Sequence, residues 1–201
     1  MTFTEYGGKD KCELLYFQAC KDCATEKAIT DEMNFLQSFM KDSGVGGASD
    51  HDGNELRNSS GVYVTDLYNE KYHSDSSIIQ TSKNIVDAFF GFAKTNLYGS
   101  YGIFGRPCKS YDMDVMANGY KAGGNYGIHR DLGDITIMWF PQQGEYEGGE
   151  LVLHDFNLKV DIHSFHGVVF PSFYRHEVLP VITDSKKYER FSVATFVTVR
   201  S

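Results

Sequence analysis

Ile135-Thr136-Ile137-Met138-Trp139-Phe140 is a six-residue run of mostly β-branched and aromatic side chains, preceded by Gly133-Asp134 and closed by Pro141. Its length and composition are those of a strand. Upstream, Asp112-Met113-Asp114-Val115-Met116 and Gly61-Val62-Tyr63-Val64 read the same way. Downstream come Glu150-Leu151-Val152-Leu153, Gly167-Val168-Val169-Phe170 and Phe191-Ser192-Val193-Ala194-Thr195-Phe196-Val197, with Gly, Pro and Asp between the runs. Helical spacing dominates only the earlier part. Residues 12–41 carry Leu14, Leu15, Phe17, Ala24, Ala28, Met33, Phe35, Leu36 and Phe39, which fits one or two amphipathic helices better than strands. Thr30-Asp31-Glu32 is the expected cap of the second. Residues 77–96, with Ile78, Ile79, Ile85, Val86, Phe89, Phe90 and Phe92, predict another helix. Helices first and short strands afterwards point to a mainly β sandwich or jelly roll buttressed by N-terminal helices. Residues 42–60, rich in Gly, Asp, Ser and Asn, read as a long loop and a candidate lid.

The 201 residues suit one domain: helical support and loop over 1–54, and a β core over 55–201. Hydrophobic residues make up 41% and charged residues 23%, so the chain has the means for an ordinary core. A net charge of −8 disfavours general binding to phosphate backbones, although a local basic groove is compatible with it. No stretch approaches the ~20 apolar residues of a membrane span, and residues 1–10 lack the basic-then-apolar order of a secretory signal. Cys20 and Cys23 form a C-x-x-C without a second pair. A redox pair or half a zinc site is the functional alternative, but reduced thiols in a cytoplasmic protein are the expectation.

His129-Arg130-Asp131 carries the chemistry. Residues i and i+2 of a strand face the same way, so this imidazole and carboxylate can grip one cation. His176, where the strand beginning at Gly167 runs into a turn, is the best third ligand; His154, His163 and His166 are its rivals. Two His and one carboxylate on one face of a metal leave three positions open, the pattern of non-haem Fe(II) oxygenases, although zinc accepts the same donors. Arg190 on the last strand offers a planar fork for a carboxylate, and Ser192 shares its face.

Four ordered segments resemble the prolyl-hydroxylase-type branch of the 2-oxoglutarate/Fe(II)-dependent dioxygenases. They are residues 118–131 (Asn118-Gly119-Tyr120 through His129-Arg130-Asp131), Tyr146-Glu147-Gly148-Gly149-Glu150-Leu151, Gly167–Phe170 with His176-Glu177-Val178-Leu179-Pro180-Val181, and Arg190-Phe191-Ser192-Val193. Arg57-Asn58-Ser59-Ser60-Gly61 loosely resembles an upstream strand of the same group. The resemblance covers roughly residues 55–200. It implies a double-stranded β-helix, iron on His129, Asp131 and His176, and the distal carboxylate of 2-oxoglutarate on Arg190 with Ser192. It also implies Tyr120 near the cosubstrate and Tyr126 lining the same pocket, core packing being the alternative for both tyrosines. The implied cosubstrates are 2-oxoglutarate and O2, with ascorbate as an accessory reductant. The implied reaction hydroxylates a C–H bond and releases succinate and CO2.

The expected substrate is a protein or peptide side chain, proline first. A free amino acid, a nucleobase methyl group or a non-catalytic jelly-roll binding module are the other readings. Arg190 departs from the Lys of collagen-type enzymes. Residues 183–189 look like an inserted hairpin tip, and Phe140 falls at a pocket position where some relatives place Tyr. Arg130, Asp134 and Trp139 border the expected pocket mouth, with exposed or packing roles favoured for each.

Overall fold

The computed structural model describes residues 1–6, 14–42, 56–97, 104 and 108–200. Their strands form two principal sheets. The larger is antiparallel and contains β1 (Phe3–Tyr6), β2 (Leu14–Gln18), β3 (Lys41–Asp42), β5 (Ser60–Tyr63), β6 (Ser110–Tyr120), β8 (Ile135–Phe140), β12 (His166–Pro171) and β15 (Arg190–Arg200). Its spatial order is β1-β2-β12-β8-β15-β6-β5-β3. The smaller sheet contains β4 (Arg57–Asn58), β7 (Asn125–His129), β10 (Leu151–Leu153), β11 (Leu158–Val160) and β13 (His176–Val178), ordered β11-β10-β13-β7-β4. A separate pair joins β9 (Glu147–Gly148) to β14 (Val181–Ile182).

The opening run becomes β8, and all six of its residues are buried. The reason is that the larger sheet is covered on both faces. Ile135, Ile137 and Trp139 join the core shared with the helices, whereas Met138 and Phe140 join the core between the two sheets. The neighbours follow the same period of two. Val169 of β12 and Val193 and Val197 of β15 face the helices, while Val168, Phe170 and Ala194 face the smaller sheet. Polar side chains at Arg190 and Ser192 therefore fall on the inward face, between the sheets.

The helix layer is α1 (Cys23–Leu36), the short α2 (Val64–Leu67) and α3 (Ser77–Asn96). Helix α3 buries Ile78, Ile79, Ser82, Ile85, Val86, Phe89 and Ala93, an i, i+3/4, i+7 stripe. Burying one such Ile or Phe contributes about 1.5–3 kcal/mol. Ser76 caps α3, accepting from Ile79 N at 3.0 Å. Glu32 of α1 reaches across to accept from Ser76 Oγ at 2.5 Å and Ile78 N at 2.9 Å, which ties the two helices together. Trp139 Nε1 donates to Ser82 Oγ at 3.2 Å and fixes α3 to the sheet, giving Trp139 a packing role.

Three sequence expectations change. Leu14–Gln18 is strand, because β1 and β12 hydrogen-bond to it on either side and its alternate residues find apolar cover on both faces. Thr30-Asp31-Glu32 lies inside α1; the cap is Asp22, which accepts from Thr25 N at 2.9 Å. The proposed loop 42–60 ends in strands β4 and β5, and its stretch 43–55 lies outside the described residues, so the lid does too. Cys20 and Cys23 are free thiols, the first buried and the second exposed, as expected for an unpaired C-x-x-C. No helix among the described residues is long and apolar enough to cross a membrane.

Candidate active site

Strands β7 and β13 pair antiparallel with His129 directly opposite His176. Asp131 sits two residues past His129, and its backbone N donates to Ser172 O at 3.0 Å. That bond folds the turn back so that the carboxylate meets both imidazoles. Asp131 Oδ1 lies 3.5 Å from His129 Nε2, and Oδ2 lies 3.3 Å from His176 Nε2. The three ligand atoms lie within 4.8 Å of one another, forming the one His/Cys/Asp/Glu group among the described residues arranged to hold a metal ion.

The backbone sets the tautomers. His129 Nδ1 is 2.8 Å from Gly127 O and His176 Nδ1 is 3.0 Å from Tyr174 O. A carbonyl only accepts, so each Nδ1 carries the proton and each Nε2 keeps its lone pair, the arrangement a metal requires. His176 is fully buried, and its Nε2 has no hydrogen-bond partner among the described residues. A buried lone pair without a donor costs free energy, and a cation at this point would remove that cost. Burial alone would raise the Asp131 carboxyl. Positive charge at the Nε2 edges of the imidazoles, His176 foremost, more than offsets burial and holds it well below the usual carboxylate range, and a cation at the same edges would act in the same sense. The donor set therefore fits a divalent cation.

Arg190 lies on the inward face of β15, opposite Tyr120 of β6, and is fully buried. Its Nε donates to Gly149 O at 2.6 Å. Its guanidinium carbon stands 4.4 Å from the Tyr120 ring centroid and 5.6 Å from that of Phe140. Burial lowers the Arg190 pKa, and the Tyr120 and Tyr146 phenols oppose that shift. Neither Nη has a hydrogen-bond partner among the described residues, and the buried Ser192 Oγ on the same face also has none. Two parallel N–H donors and a hydroxyl, out of water and unmatched, suit an incoming carboxylate. The turn before β10 makes this possible. Gly148 and Gly149 both have φ +68, and a Cβ on Gly149 would stand 2.9 Å from Arg190 Cδ.

Tyr126 stacks on His129 with centroids 3.6 Å apart and rings 11° from parallel, so it supports the ligand ring. Tyr120 is buried beneath the Arg190 guanidinium. The rival histidines are elsewhere: His154 is 2.9 Å from Glu177 Oε1, and His163 faces His166 with ring centroids 5.8 Å apart. His163 and His166 line a cavity of about 390 Å³ with Tyr16, Phe17 and Lys21, and no triad residue borders it. Arg130 donates from Nε to Phe173 O, and Asp134 accepts from Val199 N, so both organise loops. Two buried residues that motif reading overlooks, Thr136 and Ser172, also touch the site. Thr136 Oγ1 lies 2.8 Å from Asp131 Oδ2 and 2.9 Å from Ser172 Oγ. The signal for Thr136 is a lone hydroxyl in the apolar run 135–140; Ser172 has none.

The paired sheets, with their helix cover, have the jelly-roll fold of solved prolyl hydroxylases. The viral collagen prolyl hydroxylase of Paramecium bursaria Chlorella virus-1, in its 2-oxoglutarate complex, superposes with TM-score 0.61 at 14% identity, over 95% of this chain and 98% of that one. A Trichoplax adhaerens prolyl hydroxylase, bound to a peptide of the hypoxia-inducible-factor oxygen degradation domain, gives 0.63 at 14% identity, over 93% and 84%. A Pseudomonas putida prolyl-4-hydroxylase gives 0.60 at 17% identity, over 94% of each chain. In sequence, a PKHD-type hydroxylase of Parvibaculum lavamentivorans is 29% identical over 96 residues, which span 40% of this chain and 42% of that protein. No family model matches.

Proposed function

We propose that this chain is an Fe(II)- and 2-oxoglutarate-dependent dioxygenase that hydroxylates an aliphatic C–H bond, with a protein or peptide side chain, proline first, as its substrate. The observation that carries the reading is the pairing of two unmatched features on one fold. On the smaller sheet a His-Asp-His cluster has a free Nε2 on the buried His176, and on the inward face of the larger sheet a buried guanidinium has both Nη atoms free. A cation and a dicarboxylate match these two features together. The hydroxylase relative in sequence and the three prolyl hydroxylase neighbours in fold support the same reaction class.

His129, Asp131 and His176 hold the metal. Arg190 takes the distal carboxylate of 2-oxoglutarate through its two Nη donors, Ser192 adds a hydroxyl, and Tyr120 forms the floor beneath the guanidinium. When bound, the iron and cosubstrate supply oxidative decarboxylation coupled to O2 activation, releasing succinate and CO2. The protein orients them and keeps water out: Phe140, Phe170 and Leu153 pack the interior between the sheets. The neighbour bound to a peptide favours a polypeptide substrate over a free amino acid or a nucleobase, and the net charge of −8 argues in the same direction against nucleic acid.

Anaerobic titration with Fe(II) and 2-oxoglutarate tests the centre. A weak visible metal-to-ligand charge-transfer band is expected, and its absence in folded protein would leave a binding module as the reading. Succinate-coupled turnover against proline peptides, free amino acids and methylated oligonucleotides then ranks the substrates. Turnover confined to oligonucleotides would overturn the peptide assignment.

A further inference from the structure

Asp131 is the end of a chain of buried hydroxyls. Thr136 Oγ1 donates to Asp131 Oδ2 at 2.8 Å and lies 2.9 Å from Ser172 Oγ. A hydroxyl has one proton. Thr136 gives its proton to the carboxylate, which only accepts, so Ser172 must donate to Thr136. Thr136 and Ser172 are fully buried. The backbone reinforces the arrangement: Asp131 N donates to Ser172 O at 3.0 Å, and Ser172 N donates to Asp134 O at 3.1 Å. The turn carrying the carboxylate is thus clamped onto the end of β12 from both sides. The imidazoles stand beside both oxygens, His129 Nε2 3.5 Å from Oδ1 and His176 Nε2 3.3 Å from Oδ2, so the hydroxyl on Oδ2 fixes how the carboxylate faces the two rings.

Thr136 is the single polar side chain in β8. Valine would fill its volume and avoid burying a hydroxyl, which costs free energy unless it is bonded. The bond to Asp131 offsets that cost, and it also fixes the carboxylate. With Oδ2 held by the Thr136 hydroxyl, the carboxylate cannot turn freely about its Cβ–Cγ bond. A carboxylate free to turn could chelate through both oxygens and occupy one of the three positions a facial triad leaves open.

We infer that Thr136 and Ser172 are positioning residues that hold the Asp131 carboxylate in the orientation that faces His129 and His176, ready for a cation. The inference rests on the metal centre proposed above. It is tested on the purified full chain with Mn(II) alone as the probe, free metal being read by electron paramagnetic resonance, and with the thermal midpoint recorded beside it. Loss of an outer partner of a metal ligand typically weakens metal binding 10–100-fold. Thr136→Val should therefore bind Mn(II) about ten- to a hundredfold more weakly than the wild type. Thr136→Ser, which keeps the hydroxyl, should recover most of that loss, and Ser172→Ala should fall between them.

The Co(II)-substituted Thr136→Val protein should also change its visible spectrum, as a reoriented carboxylate ligand requires. Equal Mn(II) affinity in Thr136→Val and wild type would overturn the inference. So would a Thr136→Ser as weak as Thr136→Val, which would assign the loss to packing. Should Thr136→Val fail to fold, an unchanged affinity in Ser172→Ala overturns it instead. A wild type that binds no Mn(II) would strike the metal reading itself, which separates the two failures.

Discussion

Replacing Arg190 with Met should make the protein more stable and its cosubstrate binding worse. The reason lies in what the guanidinium touches. Arg190 is fully buried, yet its only hydrogen bond among the described residues runs from Nε to Gly149 O, and both Nη groups are unmatched. Each unsatisfied buried donor costs about 1–3 kcal/mol, whereas a bond from a charged donor contributes about 1.5–3 kcal/mol. Two unmatched donors against one bond leave a net relief on the order of 1–3 kcal/mol when the group is removed. Met keeps the apolar stem against Tyr120 and Phe140 and removes the charge. In a domain of this size, each kcal/mol moves the midpoint by about 2–4 °C, so the apo thermal midpoint should rise by about 2–12 °C. The 2-oxoglutarate side moves the other way. Loss of a charge-assisted pair worth about 1.5–3 kcal/mol raises the apparent KM roughly 10- to 150-fold. The assays are differential scanning calorimetry of the apo protein and succinate production against 2-oxoglutarate concentration. A midpoint that drops by several degrees with KM unchanged would show that Arg190 is a structural cation and that another residue anchors the carboxylate.

Gly149→Ala should harm the same pocket from the other side. It places a Cβ 2.9 Å from Arg190 Cδ at φ +68, so KM for 2-oxoglutarate should rise and stability should fall by about 1–3 kcal/mol, both readable from the same two assays. Adding Mn(II) at a hundred times its dissociation constant should stabilise the wild type by about 2.7 kcal/mol in urea melts, and His176→Ala should show no such gain. A pH effect is expected far from the site. Burial alone would raise the Asp87 carboxyl, but Lys83 and Tyr111 more than offset that and hold it below its ordinary value. A depressed carboxylate stabilises above its unfolded value of about 4, and that stability is lost as pH falls through the folded value. Tyr111→Phe removes the 2.5 Å bond from Tyr111 Oη to Asp87 Oδ1, so the acid-side loss below about pH 4 should become shallower. Identical acid limbs in the two proteins would refute it.

The β core was legible because strand composition is a local property. Ile135–Phe140 carries β-branched and aromatic residues between Gly and Pro, and β8 has those bounds. Helix α3 was legible to the residue, since its apolar stripe is a local signal. Leu14–Gln18 was not. Its five residues have no period of their own, and pairing with β1 and β12 decided their conformation. The candidate cluster was legible for a different reason. A strand places residues i and i+2 together, so His129 and Asp131 were joined by spacing alone. His176 was singled out by its place where a strand runs into a turn, but its position opposite His129 needed the register of β13 on β7, which no local spacing shows. Ser172 stayed hidden because its contact with Thr136 spans 36 residues and carries no motif.

The two faces of β15 explain why one strand bears both the core and the candidate pocket. Phe191, Val193 and Val197 pack toward the helices, and Arg190, Ser192 and Ala194 point between the sheets. A slip of one residue would exchange the sets, burying the guanidinium among apolar side chains and turning the apolar face into the pocket. The eleven-residue register of β15 on β6 forbids that slip, because every residue from Arg190 to Arg200 has a partner in β6. Helix packing on one face therefore pins the donors on the other. The unmatched Arg190 Nη atoms are the local cost of the candidate pocket, and the apolar face of the same sheet holds them in place.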